Sequence, residues 1–329
     1  MRAVRDIHNR SIDYLRVSVT DRCNFRCSYC MPPEGLTLLD HDDILSYEEF
    51  LRVIDILSRH GVKKVRITGG EPLVRKGIVE FISSIKKLGT IEDLSLTTNG
   101  SLLAPLAGEL KRAGLDRVNI SLDTLDKSRF YHITGNRGCL DDTLAGIDAA
   151  LDAELHPVKV NVVLTEVFGE SDLAWFIDKV CLYPIAVRFI EYMPIGHGGV
   201  EAGFSIEEVK HLLEKAGGGL KPSIGGKGNG PAKYYQFTGA KGSFGFITPL
   251  TEHFCEACNR IRLTADGKFR PCLLSNQEVD VKQALRSGAS DDQIAAIFMK
   301  AIVEKPASHT LCRSSGYNNF HRKMSQIGG

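Results

Sequence analysis

From residue 14 to about residue 217 the chain alternates short β-branched runs with amphipathic stretches, and this rhythm constrains the fold more than any other feature. Consecutive βα units predict a parallel sheet. Six strands are expected, at residues 14–20, 62–68, 94–98, 117–123, 157–164 and 186–192. Between them, Ser46 with Glu49 and Ser205 with Glu208 have the spacing of capping boxes, and Gly61 and Gly114 fit positions just past helix ends. Six units are too few to close a (β/α)8 barrel, which leaves an open barrel or a doubly wound sheet.

Parallel strands buried on both faces read as continuous apolar runs, and these do not. Leu15, Val17 and Val19 alternate with Arg16, Ser18 and Thr20; Val65 and Ile67 alternate with Lys64, Arg66 and Thr68. The same holds for Leu94 and Leu96 against Ser95 and Thr97, and for Val118, Ile120 and Leu122 against Arg117, Asn119, Ser121 and Asp123. Val158, Val160 and Val162 oppose Lys159 and Asn161, and Arg188 shares its parity with Tyr192. An antiparallel sheet with one wet face gives the same alternation, but helices between every pair of strands argue against it. With helices on the apolar face, the polar face lines a cavity, because buried charges need partners. Arg16, Arg66, Lys159 and Arg188 converging there imply a polyanionic ligand such as a nucleotide triphosphate.

Composition matters at two points. Lys plus Arg number 41 and Asp plus Glu 40, so the chain lacks the overall basic footprint of a nucleic-acid binder, while a local basic pocket stays open. No window approaches 18 consecutive apolar residues and the N-terminus has no apolar signal core, so a cytoplasmic location is expected. Nine cysteines, an odd number, point to metal or redox use rather than a disulfide framework. Cys139, Cys181 and Cys312 are scattered, and the first two read as small packing residues.

The other six form two triplets: Cys23, Cys27 and Cys30, spaced x3 then x2, and Cys255, Cys258 and Cys272, spaced x2 then x13. The first triplet follows the first strand, where ligand sites of α/β sheets concentrate. Three thiolates leave one iron of a 4Fe-4S cluster open for a ligand. A zinc site is the alternative, with a distant fourth ligand for the first triplet and His253 as fourth ligand for the second.

Cys23-x3-Cys27-x2-Cys30, with Tyr29 before the last Cys and Thr68-Gly69-Gly70-Glu71-Pro72 after the second strand, resembles the signature of the radical S-adenosylmethionine (SAM) enzymes. A Gly-Gly step also suits close backbone approach to a ligand. The resemblance implies a 4Fe-4S cluster on the triplet, SAM on its open iron, and reductive cleavage of SAM to a 5′-deoxyadenosyl radical. Phe254 to Arg262, Asp266-Gly267-Lys268 and Cys272 are similar to the second-cluster segment of that family's GTP-cyclising branch, which opens molybdenum cofactor biosynthesis. Gly230-Pro231-Ala232 and the terminal Met324-Ser325-Gln326-Ile327-Gly328-Gly329 match it too.

This resemblance implies an α/β fold: an open (β/α)6 partial TIM barrel over residues 1–217, with residues 218–329 carrying a second 4Fe-4S cluster whose open iron contacts guanine. It assigns SAM contacts to Tyr29, Gly70, Ser121 and Met193, and GTP contacts to Arg16, Arg66, Thr97, Lys159, Arg260 and Arg262, with Arg188 nearby. Met193 falls on the opposite parity and reads equally as core filler. The Gly328-Gly329 tail reads on its own as a frayed terminus, whereas the resemblance inserts it into the active site. Also implied are a flavodoxin- or ferredoxin-type electron donor, hand-off of product to the cyclic pyranopterin monophosphate synthase, and a homodimer. The rival readings are a peptide-modifying radical SAM enzyme with auxiliary clusters and a non-catalytic iron-sulfur or zinc scaffold. Residues 216–231, Gly-rich and without periodicity, are expected to be a linker or mobile loop.

Overall fold

The structure, a computed structural model, describes residues 4–32, 34–195, 200–224, 230–311 and 320–328. The six expected strands are present as β1 (Tyr14–Ser18), β2 (Lys64–Thr68), β3 (Asp93–Thr98), β4 (Arg117–Ser121), β5 (Val158–Leu164) and β6 (Ile185–Glu191), each paired in parallel with the next. Their apolar residues vanish into one core: Leu15, Val17, Val65, Ile67, Leu94, Leu96, Val118 and Ile120 are all fully buried beneath the helices.

The helices show why. Tyr47–Arg59 buries Phe50, Val53, Ile54 and Leu57, an i, i+3, i+4, i+7 stripe that faces the sheet. Ser46 and Glu49 close the expected capping box at its start, and Ser205 and Glu208 do the same for Ile206–Gly217.

Two further strands extend the sheet, and the βα rhythm did not announce them. β7 (Ser243–Ile247) pairs in parallel with β6, and β8 (Arg260–Leu263) pairs in parallel with β1. Residues beyond 217 therefore supply one strand to each edge of the barrel sheet, giving the parallel order β8-β1-β2-β3-β4-β5-β6-β7. Antiparallel pieces continue both edges: Lys268–Arg270 and Val279–Asp280 beyond β8, Lys233–Gln236 and Lys221–Ser223 beyond β7. The sheet's two ends do not pair among the described residues, so the barrel stays open.

Part of the stretch expected to be a loop at 216–231 is ordered structure. The helix continues to Gly217 and Lys221–Ser223 forms the edge strand; residues 225–229 lie outside the described residues. Gly-rich composition concealed a helix end followed directly by a short pairing segment. Cys139 also departs from its expected packing role: it is exposed, at the start of the helix Leu140–Asp152, whereas Cys181 packs against the core and Cys312 lies outside the described residues. No helix is long and apolar enough to cross a membrane.

Candidate active site between two cysteine triplets

The register of the sheet sets the charge of the cavity. Arg262, Arg16, Arg66, Ser95 and Arg117 stand abreast on β8, β1, β2, β3 and β4, with Thr97, Asn119 and Lys159 in the next row along β3, β4 and β5. Arg117 has a carboxylate partner, Asp93, at 2.6 Å. Among the described residues no carboxylate pairs with Arg66, Arg188 or Arg262; neutral oxygens hold them instead. Arg66 Nε donates to Ser95 Oγ at 3.3 Å and Arg188 Nη2 donates to Asn119 Oδ1 at 2.8 Å.

Burial and mutual repulsion depress these bases. Burial with Arg262 and Arg66 nearby holds Arg16 well below its usual value, and burial brings Arg66 to about 10. Burial, then Arg260, lowers Arg262 to about 9, and burial with Arg188, Arg117 and Arg66 lowers Lys159 to about 6. Holding this much positive charge out of water is costly unless an anion arrives to offset it.

The cavity, about 330 Å³, is lined by all six triplet cysteines. Tyr29, Gly70, Ser121 and Met193 line it, as do Arg16, Arg66, Thr97, Arg188, Arg260 and Arg262. Lys159 is the exception. It is buried, with Nζ 6.0 Å from the Tyr234 ring, and is not among the residues that line the cavity. Met193 lies beyond the end of β6, so strand parity no longer governs where its side chain goes.

The first triplet sits in the loop after β1. Burial pushes Cys23 up to about 11, Cys27 well above the usual thiol range and Cys30 up to about 12. The Gly69-Gly70 step serves that loop. Gly70 N donates to Thr20 O at 2.8 Å, and a Cβ on Gly70 would collide with the Arg22 carbonyl. The close approach that demands glycine is thus to the cysteine loop's own backbone rather than to a ligand. Glu71, buried and pushed up to about 7 by burial, accepts from Leu73 N, Thr98 Oγ1 and Asn99 N and fastens the turn to β3. Tyr29 donates to Asp123 Oδ2 at 2.8 Å, and burial raises Asp123 to about 6.

The second triplet has a different setting. Burial pushes Cys258 upward, but Arg260 and Lys305 outweigh it and bring the thiol to about 6. Lys305, itself buried, donates to the carbonyls of Arg260 (2.8 Å) and Pro271 (2.7 Å), which join the segments bearing Cys258 and Cys272. Arg10 donates to the carbonyls of Cys255 and Pro306.

Spacing tests what the triplets fit. Thiolates around one zinc ion lie about 3.8 Å apart, given Zn–S near 2.3 Å. Among the described residues the only three His, Cys, Asp or Glu ligand atoms within 4.8 Å of one another belong to His253, Cys255 and His309. Among the described residues neither triplet brings its three thiols within 4.8 Å of one another, so neither is gathered as tightly as ligands of a single zinc ion.

Sequence reasoning missed Tyr14, which shares the inward parity of Arg16 and lines the cavity. It is 3% exposed; its hydroxyl and that of Thr97 make no well-formed hydrogen bond among the described residues, although Arg117 stands beside the Tyr14 hydroxyl. The tail follows the resemblance and not the frayed reading: Ser325, Ile327 and Gly328 are buried, and Arg262 donates to the Gly328 carbonyl. Gly328 has φ +67°, and a Cβ there would meet Thr68 Cγ2 at 2.6 Å, so the segment threads into the barrel where a side chain would not pass. Gly329 lies outside the described residues.

Comparison with known proteins agrees with this geometry. Residues 17–180 match the radical SAM superfamily model and residues 185–311 the model described as Molybdenum Cofactor Synthesis C. The GTP 3′,8-cyclase of Heliobacterium modesticaldum is 52% identical, covering 98% of this chain and 99% of that protein. Those of Desulforamulus reducens and Thermodesulfovibrio yellowstonii are 50% and 48% identical, covering 98% and 99% of this chain and 99% and 100% of theirs. Streptococcus suis SuiB bound to S-adenosylmethionine shares the fold, with TM-score 0.62, 16% identity, and coverage of 88% of this chain and 69% of that one.

Proposed function

The chain belongs to the GTP 3′,8-cyclase family of the radical SAM superfamily, and from that premise we propose that it converts GTP to (8S)-3′,8-cyclo-7,8-dihydroguanosine 5′-triphosphate. This is the first step of molybdenum cofactor biosynthesis, and the enzyme class is a lyase. One observation carries the reading: a single cavity is lined by both cysteine triplets and by five arginines.

Cys23, Cys27 and Cys30 would hold one 4Fe-4S cluster and Cys255, Cys258 and Cys272 the other, with SAM contacted by Tyr29, Gly70, Ser121 and Met193. When bound, cluster and SAM supply one-electron chemistry: hydrogen removal from ribose C3′ and closure onto guanine C8. The chain's own residues bind, orient and exclude water. Arg16, Arg66, Thr97, Arg260 and Arg262 hold GTP, and the triphosphate offsets their charge. Lys159, at about 6 without ligand, takes up a proton as the polyanion arrives and acts on it from behind the lining. Residues 1–217 form the SAM-cleaving part and 218–329 the substrate part. With this reading go a flavodoxin- or ferredoxin-type electron donor, transfer of product to the cyclic pyranopterin monophosphate synthase, a homodimer and a cytoplasmic location.

The test is anaerobic turnover of the reconstituted chain with reductant, SAM and GTP. The expected products are 5′-deoxyadenosine and the cyclised nucleotide. Cleavage of SAM with GTP left intact would keep the superfamily chemistry and remove the substrate.

A further inference from the structure

The close spacing that the triplets lack is present beside them. His253, Cys255 and His309 bring two imidazoles and a thiol within 4.8 Å of one another, and the two rings lie 4.3 Å apart. His309 is nine-tenths buried; its Nδ1 makes no well-formed hydrogen bond among the described residues, and its ring lies beside the backbone of Pro249 and Leu311. A buried ring nitrogen without a well-formed hydrogen bond, beside a second imidazole and a thiol, is a ligand set awaiting its ion, since an unmet buried polar atom is otherwise costly.

The backbone around these donors is held from both sides. Arg10 donates to the carbonyls of Cys255 (3.0 Å), Pro306 (2.7 Å) and Ala307 (2.9 Å), joining the Cys255 turn to the segment that leads to His309. Lys305 anchors that segment to β8 through the Arg260 carbonyl. Donors fixed in this way need only small side-chain rotations to reach the roughly 3.3–3.8 Å separations of a tetrahedral ion with Zn–N near 2.0 Å and Zn–S near 2.3 Å. Two imidazoles and one thiolate are borderline donors, which select zinc-like ions over magnesium or calcium.

We propose that His253, Cys255 and His309 form a mononuclear zinc site that fills when the second cluster is absent. Cys255 belongs to both sets, so zinc and cluster exclude each other. The site gives the chain an intrinsic competition between zinc and cluster assembly at its substrate end, while leaving the first triplet untouched. It depends on the cyclase reading only through Cys255, and its test requires neither GTP nor SAM.

Iron-free full-length chain is titrated anaerobically with Co(II) alone, a spectroscopic stand-in for Zn(II). One equivalent should bind with a thiolate charge-transfer band and tetrahedral ligand-field bands. His309→Ala and the surface change His253→Ala should each weaken binding roughly tenfold or more, and Cys255→Ser should remove the charge-transfer band. Cys258→Ser and Cys272→Ser should leave the titration unchanged. In a second arm, chain preloaded with one Zn(II) is reconstituted with iron and sulfide. Iron should stop near four per chain instead of about eight, and a chelator should restore the difference. Binding that survives both histidine changes, binding that needs Cys258 or Cys272, or full iron loading with zinc retained would each overturn the site.

Discussion

The two cysteine triplets face one cavity but sit in opposite electrostatic surroundings. Around the first, Glu71 and Asp123 add to the upward push on Cys23 and Cys27, Arg26 beside Cys23 offsets only part of it, and burial keeps all three thiols protonated. Around the second, Arg260 and Lys305 bring Cys258 down to about 6, and the arginines of β8, β1 and β2 continue the positive field along the sheet. The two ends are charged to suit different guests. SAM carries a sulfonium cation and belongs near carboxylates; GTP carries a triphosphate and belongs among guanidiniums. On the proposed function, charge segregation along the cavity orients SAM and GTP so that the 5′ carbon of SAM meets the ribose of GTP.

Removing one thiol from each triplet gives the largest contrast. Cys27→Ala should abolish 5′-deoxyadenosine formation, whereas Cys258→Ala should keep SAM cleavage and lose the cyclised nucleotide. Chromatography of both products on the two reconstituted variants reads the contrast. Equal loss of SAM cleavage in both would mean that the ends are not separate in function.

A smaller contrast concerns the metal-free thiols. At pH 7 Cys258 is largely thiolate, while Cys23 at about 11 is almost wholly protonated. Thiolate nucleophilicity falls with pKa and offsets part of this, leaving Cys258 about 10- to 100-fold faster to alkylate than Cys23. Peptide mapping after brief iodoacetamide treatment measures the ratio. The sign follows from the pKa values: lowering the pH through 6 should slow Cys258, and raising it towards 11 should release Cys23. Equal rates at pH 7 would remove the electrostatic difference between the ends.

How much of this was legible in the sequence depends on the range of the interaction. β1 to β6 were readable because alternation is local, and the inward parity of Arg16, Arg66 and Arg188 followed from it. β7 and β8 were not. Ser243–Ile247 carries Phe244-Gly245-Phe246 without a helix before it, and Arg260–Leu263 is four residues long; each becomes a strand by pairing with a strand already in the barrel. The six cysteines and the cations were visible as spacing and charge. Lys305, Arg10 and His309 were not, because nothing near them in the chain marks a site and their partners lie far away in sequence. The tail's composition suggested fraying; burial of Ile327 and the Arg262 bond to Gly328 need the barrel to exist first.

Lys159 sharpens the cationic end. Its pKa of about 6 without ligand is depressed by burial and by Arg188, Arg117 and Arg66. A bound triphosphate raises it, so GTP binding takes up a proton from pH 6 upward and affinity falls with rising pH, by up to about tenfold per unit. Calorimetry in buffers of different ionisation enthalpy measures the uptake, and Lys159→Met should reduce it by the share that belongs to Lys159. An unchanged uptake in that variant would move the proton elsewhere. SAM binding, at the other end, should show no such dependence on Lys159.

The smallest effect tests the floor of the cavity, at Tyr14. Burial raises its phenol, but Arg66, Arg16 and Arg117 outweigh burial and lower it, so the hydroxyl is polarised as a donor. Arg66 lies 5.4 Å from the ring centroid, which holds the ring, while Arg117 approaches the hydroxyl without a well-formed hydrogen bond. A phosphate oxygen is the acceptor that a buried donor amid guanidiniums would meet. Replacing Tyr14 by Phe keeps the ring and its cation contact and removes only the hydroxyl, so packing is preserved and one hydrogen bond is lost. At the net worth of one such bond, GTP should bind about fivefold more weakly, with SAM binding and cluster content unchanged. Equilibrium dialysis of the reconstituted Tyr14→Phe chain with each ligand measures both. A loss shared by SAM would show that Tyr14 supports the barrel as a whole, and no loss for GTP would place the triphosphate away from β1.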